Sequence, residues 1–494
     1  MMLCETSLRK CMHAWVLYLL TAAVFGPGLL SFTCEAAPVF IRIQPDDAIR
    51  SGMILPGVEG LCVEGVLRAP VFLQDPQCSG LSLSTCQVGF ALPSFISPWG
   101  HTLTTGMTVG RQQIRWGPGT TGGLLLSDQA SLDGIVFQLV LDEIRYTQIQ
   151  AARDFDAGKW LFAHRLEGRA LPNLKIGISE AIAVSGGFRM GFAHLIPACP
   201  YYLIQHLTIK EDREQDKWTN ALVSVDASVN LRDDLLAYAE FMADDFPWAM
   251  SAKGRVPYMV GGVVGISLTK PLHLAAGAPI LLTRAREQLR EAAARAPVLA
   301  TSQGGHDTPD TCYSVTAEYV RINNYVYSHK NPDNTYVTQT GQLIGHPLGP
   351  DADGVYLILA VNSRPELEPM NLRQASLFFG YERHGEGALG EPWRPSHGIE
   401  REFLWGIVET RKVFGLSAGV DILPVAADRS QTADIPFGHE SAYVRNNTQL
   451  EAALELSLRV ESIDNASHVP GVRGMEGNIA IAVRLHYGHP SPDP

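Results

Sequence analysis

The sequence is short of charge: Asp, Glu, Lys and Arg make up 18% of its 494 residues, where a soluble globular chain carries about a quarter. Much of the surface is therefore expected to face something other than water. Basic residues are the scarcer sign, 39 against 51, and a net charge of −12 argues against a nucleic-acid partner, whose phosphates need a basic face. Cysteines number eight, with no CxxC pair and no His at ligand spacing, so neither a metal site nor a cofactor is expected. Past the leader they are Cys62, Cys78, Cys86, Cys199 and Cys312; one disulfide such as Cys78–Cys86 suits an oxidising compartment, and the pairing stays open. Beyond residue 37 no run of about 18 apolar residues occurs, which leaves no second transmembrane helix. No Ser-His-Asp order or other catalytic signature stands out, so no enzyme activity and no catalytic residue is expected.

The first 36 residues read as a secretory signal peptide. Arg9 and Lys10 form a positive start, Trp15 to Leu30 an apolar stretch, and Cys34-Glu35-Ala36-Ala37 offers small-residue cleavage sites. Cleavage after Ala36 is preferred to Ala37, which leaves Pro38 first. A lipoprotein at Cys34 is disfavoured by Ser31, and an uncleaved anchor is the alternative.

Segments of about ten residues with period-two alternation then recur along the chain. In Asn478 to Tyr487, Ile479, Ile481, Val483, Leu485 and Tyr487 share one face, while Ala480, Ala482, Arg484 and His486 share the other. Ala452 to Glu461 alternates in the same way. Further strands are predicted at Leu174–Val184, Leu222–Val229, Leu235–Met242, Tyr258–Leu268, Val315–Tyr327, Val355–Val361 and Phe403–Leu416. A soluble sandwich or propeller and a membrane barrel both fit such a pattern. The signal peptide, the apolar rows facing small or charged ones, and a last strand ending on Tyr487 favour the barrel. At roughly 25 residues per strand and loop, the mature chain suggests about 16–18 strands.

The expected fold is thus all-β, a large antiparallel transmembrane β-barrel with minor helical insertions, placed in the outer membrane among its lipids. Residues 37–100 read as an N-terminal segment leading into a barrel over 101–494. Leu282 to Arg295 is rich in helix formers with Thr283 as a cap, which predicts a helical insertion near 282–296.

The most distinctive segment is Gly110-Arg111-Gln112-Gln113-Ile114-Arg115-Trp116-Gly117-Pro118-Gly119, followed by Gly123-Leu124-Leu125-Leu126-Ser127-Asp128-Gln129-Ala130. Aromatic faces stack on sugar rings, and arginines pair bidentately with the carboxylates of acidic sugars. The same residues also suit a structural turn whose Trp packs inside the barrel. Glu240, Asp244 and Asp245 form a carboxylate set, but Glu240 and Asp244 stand about 13 Å apart on an extended strand, too far for an acid–base pair in glycoside hydrolysis. Asp351 and Asp353 could hold Ca²⁺ through oxygen ligands, yet they lack an EF-hand loop and read as a capped turn. Gly186-Gly187 reads as a sheet kink, because no helix follows it.

The arginine-bearing strand into Trp-Gly-Pro-Gly, closing on Ser127-x-x-Ala130, resembles the Wzi-type capsule-assembly proteins. So do Ala163-His164-Arg165-Leu166-Glu167 with Leu174 to Glu180, Leu236 to Asp245, and Gly345-His346-Pro347-Leu348-Gly349-Pro350-Asp351-Ala352-Asp353. Glu318-Tyr319, Tyr327-Ser328-His329 and Tyr336 extend the match, which spans roughly residues 45 to 360. The resemblance implies a monomeric outer-membrane barrel, partly closed from the periplasmic side by helical structure, that binds and retains capsular polysaccharide or a related exopolysaccharide. Candidate polysaccharide-binding or lumenal residues are Arg111, Arg115, Trp116, Arg165, Glu240, Asp244, Asp245, His346, Asp351 and Asp353. A passive porin of the same fold is the first alternative, and an envelope glycan-acting enzyme the second.

Overall fold

The computed structural model describes residues 58–70, 80–96, 102–185, 194, 200–201, 219–245, 257–272, 311–363, 371–394, 403–422 and 449–488. The signal peptide, the helix near 282–296 and Gly186-Gly187 lie outside these residues. Sixteen antiparallel strands run through them: β1 Val58–Pro70, β2 Gly80–Ile96, β3 Thr102–Gln113, β4 Ser131–Leu141, β5 Ile144–Asp154 and β6 Lys159–Leu171. Next come β7 Leu174–Val184, β8 Thr219–Arg232, β9 Leu235–Asp245, β10 Met259–Pro271 and β11 Thr311–Ile322. The last are β12 Ala352–Ser363, β13 Asn371–His384, β14 Glu409–Ile422, β15 Gln449–Asp464 and β16 Arg473–Gly488. Each pairs with its sequence neighbours, and β16 pairs with β1 to close the barrel.

Strand 7 falls on its expected boundaries, and the others lie on or over the alternating segments. Three boundaries differ. Residues 37–100 are more than a lead-in, since β1 and β2 belong to the wall. Strand 11 stops at Ile322, because Tyr325 and Tyr327 take left-handed φ of 68° and 66° and turn the chain inward. Strand 14 begins at Glu409, six residues after Phe403. The described helical residues are the 3-10 turns Pro332–Asn334 and Ala466–His468, with His194 and Tyr201 between β7 and β8. Cys86 and Cys312 carry free thiols.

The alternation puts one apolar row outside. Register makes Leu166, Ile178, Val225 and Phe241 successive neighbours across β6 to β9, and all four are about half exposed. On the far side Leu357, Phe379 and Phe414 form a second row, with the last two rings 5.5 Å apart. Such rows are unfavourable in water and favourable in lipid, and closure leaves no unpaired strand edge in the hydrocarbon. No described helix is long and apolar enough to cross a membrane; this chain crosses with strands. It is an outer-membrane β-barrel.

The two barrel ends differ. At one, β4–β5, β6–β7 and β8–β9 are joined by the two-residue turns 142–143, 172–173 and 233–234, and β10–β11 and β14–β15 by the longer connections 272–310 and 423–448; this is the turn end. At the other, the loop end, β3–β4 are joined by loop A (114–130), β11–β12 by loop B (323–351) and β13–β14 by loop C (385–408).

Candidate functional site

Loop A does not form a tight reversal. It folds into the lumen and packs Trp116, Leu124, Leu125 and Leu126 against the inward faces of β4 to β12, including Val136, Ile149, Leu222, Val263 and Val320. Its polar backbone is met by two wall carboxylates. Glu318 on β11 accepts from Thr120 N at 2.6 Å, Thr121 N at 3.0 Å, the Tyr238 hydroxyl at 2.6 Å and the Thr121 hydroxyl. Glu240 on β9 accepts from Leu124 N at 3.1 Å and from the Ser224 hydroxyl at 3.0 Å, through the same Oε1. Its Oε2 is buried without a hydrogen-bond partner and lies against Gly117. That glycine sits at φ +94°, and a Cβ there would collide with the Glu240 carboxylate, so the Gly of the Trp-Gly-Pro-Gly segment is needed for the close approach.

Loop B interlocks with loop A. Ser127 N donates to Ile344 O at 2.8 Å, and the Tyr327 hydroxyl donates to Leu124 O at 2.6 Å while accepting from His346 N at 3.2 Å. Tyr327 N in turn donates to Asp244 on β9 at 2.6 Å. Burial holds the Tyr327 and Tyr336 phenols protonated, far above their usual range. His346 Nδ1 accepts from Leu348 N at 3.2 Å, so Nε2 carries the proton and donates to the Thr121 hydroxyl at 3.0 Å. Its burial lowers the ring pKa to about 4, opposed by Glu382, and keeps the imidazole neutral at pH 7. At the end of loop B, the fully buried Asp351 accepts from Leu404 N, Trp405 N and Gly387 N at 2.8, 3.2 and 3.0 Å, and so fastens loop C.

The rest of the inward wall is charged. Arg165 on β6 is bidentate to Asp226 at 2.5 and 2.9 Å and reaches Ser179 at 2.8 Å and Glu167 at 3.0 Å. The fork fits because Gly177 stands opposite; a Cβ there would meet both Arg165 and Asp226. Along β13 to β15 runs a ladder, in which Arg459 meets Glu461 at 2.6 Å and Glu382 at 3.5 Å, and Arg411 meets Glu409 at 2.7 Å and Glu461 at 3.1 Å. Glu455, Glu476, Asn478 and Arg484 share this inward phase and are exposed. This strip of lumen is not packed by loops A and B.

The expected site residues therefore separate. Arg165, Glu240 and Asp244 face the lumen and His346 lies in the lumenal plug, while Asp351 serves as a loop fastener. Trp116 is 7% exposed and packs inside, the structural of its two readings. Arg115 stays exposed and bonds Thr120 O of its own loop at 3.3 Å. Two expectations of lumenal placement are corrected. Arg111 shares the outward phase of Met107 and Val109 and pairs bidentately with Asp133, 2.7 Å each, on the outer wall. Asp353 shares the outward phase of Val355 and pairs bidentately with Arg383 at 2.9 and 2.6 Å. The Asp245 side chain lies outside the described residues. The described lumenal filling comes from irregular loops at the loop end. Glu318, Tyr238, Thr121 and the β13–β15 ladder were not among the candidates. Their signal was available: each wall residue shares the inward phase of Glu240 or of the small residues facing it.

No protein-family model and no curated protein sequence matches the chain. Among solved structures it is similar to OccD3 (OpdP) of Pseudomonas aeruginosa, at 8% identity and TM-score 0.39 over 89% of this chain and 93% of that one. It is also similar to OccAB4 of Acinetobacter baumannii, at 9% identity and TM-score 0.31 over 87% and 97%. A third is OmpT, an outer membrane protein of Vibrio cholerae, at 7% identity and TM-score 0.34 over 86% and 96%.

Proposed function

We propose that this barrel is a narrowed outer-membrane channel for hydrophilic solutes, its bore half occupied by its own loops. The carrying observation is the asymmetry of the lumen: loops A and B pack against β4–β12, while the charged face of β13–β16 stays exposed. Rows of alternating Arg and Glu on a water-filled wall are the lining that passing polar solutes need. Barrels of this kind carry their short turns on the periplasmic side, and the three two-residue turns support placing the loop end outside, with the plug inserted from there. The experiment is single-channel recording of the purified full-length barrel in a planar bilayer. A small, stable conductance is expected, rising when residues 116–126 are replaced by a short Gly-Ser linker. An intact barrel without conductance in both forms overturns the reading.

The competing proposal is retention of capsular polysaccharide or a related exopolysaccharide by a monomer of this barrel. It is supported by the order of the resembling segments, two of which, at loops A and B, are the ones that interlock. It loses its simplest chemistry, because Trp116 is buried and Arg111 faces outward. Gene deletion distinguishes the two: polymer moving from cells to medium with synthesis intact supports retention, and altered small-solute uptake alone supports the channel.

A further inference from the structure

The outer wall of β11 to β16 changes character row by row toward the loop end. Register sets Ala317, Leu357, Phe379, Phe414 and Val460 side by side on successive strands. One step nearer the loop end the row is Tyr319, Val355, Tyr381, Lys412, Ser462 and Met475. The next is Arg321, Asp353, Arg383, Thr410, Asp464 and Arg473. Hydrocarbon suits the first row, and a membrane boundary, with its tyrosines and snorkelling cations, suits the other two. The lipid-facing wall thus ends in four exposed cations, Arg321, Arg383, Lys412 and Arg473.

Their counter-charge is smaller. Asp353 is taken up by Arg383 through both oxygens and by the Tyr319 hydroxyl at 3.2 Å. Asp464 is shared by Lys412 at 3.0 Å and Arg473 at 3.5 Å. Arg321 meets no carboxylate among the described residues; it donates to Asn323 at 3.2 Å and lies 3.8 Å from the centre of the Phe403 ring. Above β13, Glu386 of loop C accepts from Ile407 N at 3.0 Å, and counting it still leaves cations in excess. Two other parts of the same rim differ. Arg111 and Asp133 on β3 and β4 neutralise each other. On β5 to β7 the matching outward row is Gln148, His164 and Glu180, and the chain itself covers it: Gln148 donates to His194 O at 3.3 Å and Glu180 accepts from Tyr201 N at 2.7 Å.

We propose that the patch on β11 to β16 binds the phosphate-bearing headgroup of an anionic membrane lipid, whose acyl chains lie along the apolar rows beneath. Clustered cations at a membrane boundary attract anionic headgroups, and arginine forks fit phosphate oxygens. Continuity with the lipid-facing rows selects a lipid over a free anion. The inference rests on the outer wall and not on the channel reading.

The test is native mass spectrometry of the full-length barrel in detergent, titrated with dioleoyl phosphatidic acid and separately with dioleoylglycerol. Phosphatidic acid is expected to be retained about tenfold better or more. That preference should fall about tenfold in Arg321→Gln/Arg473→Gln, which keeps the Arg383–Asp353 and Lys412–Asp464 pairs. Arg232→Gln, at the turn end, should retain the lipid as the parent does. Circular dichroism checks that each variant keeps its β signal. Equal retention of the two lipids overturns the proposal, and so does a preference that the double variant leaves intact or that Arg232→Gln reduces as much. Displacement of the bound lipid by an equal concentration of inorganic phosphate also overturns it, by assigning a free-anion site.

Discussion

The two sides of the lumen share a wall pattern and differ in what meets it. From β4 to β12 the inward residues include Leu132, Val136, Ile149, Leu222, Val263 and Val320, all buried under loops A and B. From β13 to β16 the inward positions include Arg411, Arg459, Glu455 and Glu476, and the last two are exposed to solvent. An apolar wall needs a cover, and a charged wall needs water or partners. The difference teaches that the plug's position is written in the wall, since loop A buries its leucines only where the strands present apolar side chains. Of the charged residues on that side, Glu318 and Glu240 receive backbone N–H groups that a buried loop cannot leave unpaired, and Arg165 and Asp226 neutralise each other.

The sharpest way to break the comparison is to hollow the filled side. Trp116→Ala removes the largest side chain of loop A from its core, at a cost of about 3–5 kcal/mol. The amides of Thr120, Thr121 and Leu124 are expected to lose hydrogen-exchange protection while the strand amides keep theirs. Equal protection before and after means that Trp116 does not hold the plug. Glu318→Ala acts through polarity instead. It takes the acceptor from the Thr120 and Thr121 N–H groups, while the Tyr238 and Thr121 hydroxyls keep Thr120 and His346 as partners, so loop A should loosen by roughly 1–3 kcal/mol. Glu318→Gln, which keeps an acceptor oxygen, is expected to lose less in the same exchange measurement.

How far this was legible depends on the level. Most strands from β7 onward followed from period two, because side-chain alternation is a local property of each strand, while the strand count followed from chain length at roughly 25 residues per strand and loop. The outward facing of Arg111 is written in its phase with Met107 and Val109, and that of Asp353 in its phase with Val355 and Leu357. For Trp116 the sequence left two readings open, a sugar platform and a residue packed inside the barrel, and nothing local chooses between them. A residue in an irregular loop has no phase, and its burial depends on walls up to 200 residues away in sequence, such as Glu318. The interlock through Tyr327, Thr121 and His346 is of the same long-range kind.

Acid should open the same seam more gently. His346 is buried and neutral with its pKa lowered to about 4, while an unfolded or released loop leaves it at about 6.5. The released form therefore binds the extra proton first. The histidine's contribution is fully present above about 6.5, declines as pH falls through that value, and is spent by about 4. The whole effect is on the order of 3 kcal/mol. It is expected as a loss of Leu124 exchange protection between pH 7 and pH 4. His346→Asn should flatten that profile relative to the parent. An unchanged slope means that His346 does not carry the pH response.

The smallest expected change in stability comes from the open side, and it is the one that sharpens the comparison most. Arg459 lies in a partly exposed ladder with Glu461 and Glu382, its side chain 43% accessible. Exposed pairs of this kind contribute about 0–1 kcal/mol, so Arg459→Ala should leave loop A protection unchanged. It does remove a positive charge from the exposed lining, with Glu382, Glu455, Glu461 and Glu476 remaining. The reversal potential under a salt gradient is therefore expected to move toward cation preference. A variant that instead releases loop A as Trp116→Ala does would mean that the ladder braces the plug across the bore. The two sides would then be one cooperative unit, and the charge on β13–β16 would be there for packing and not for solutes.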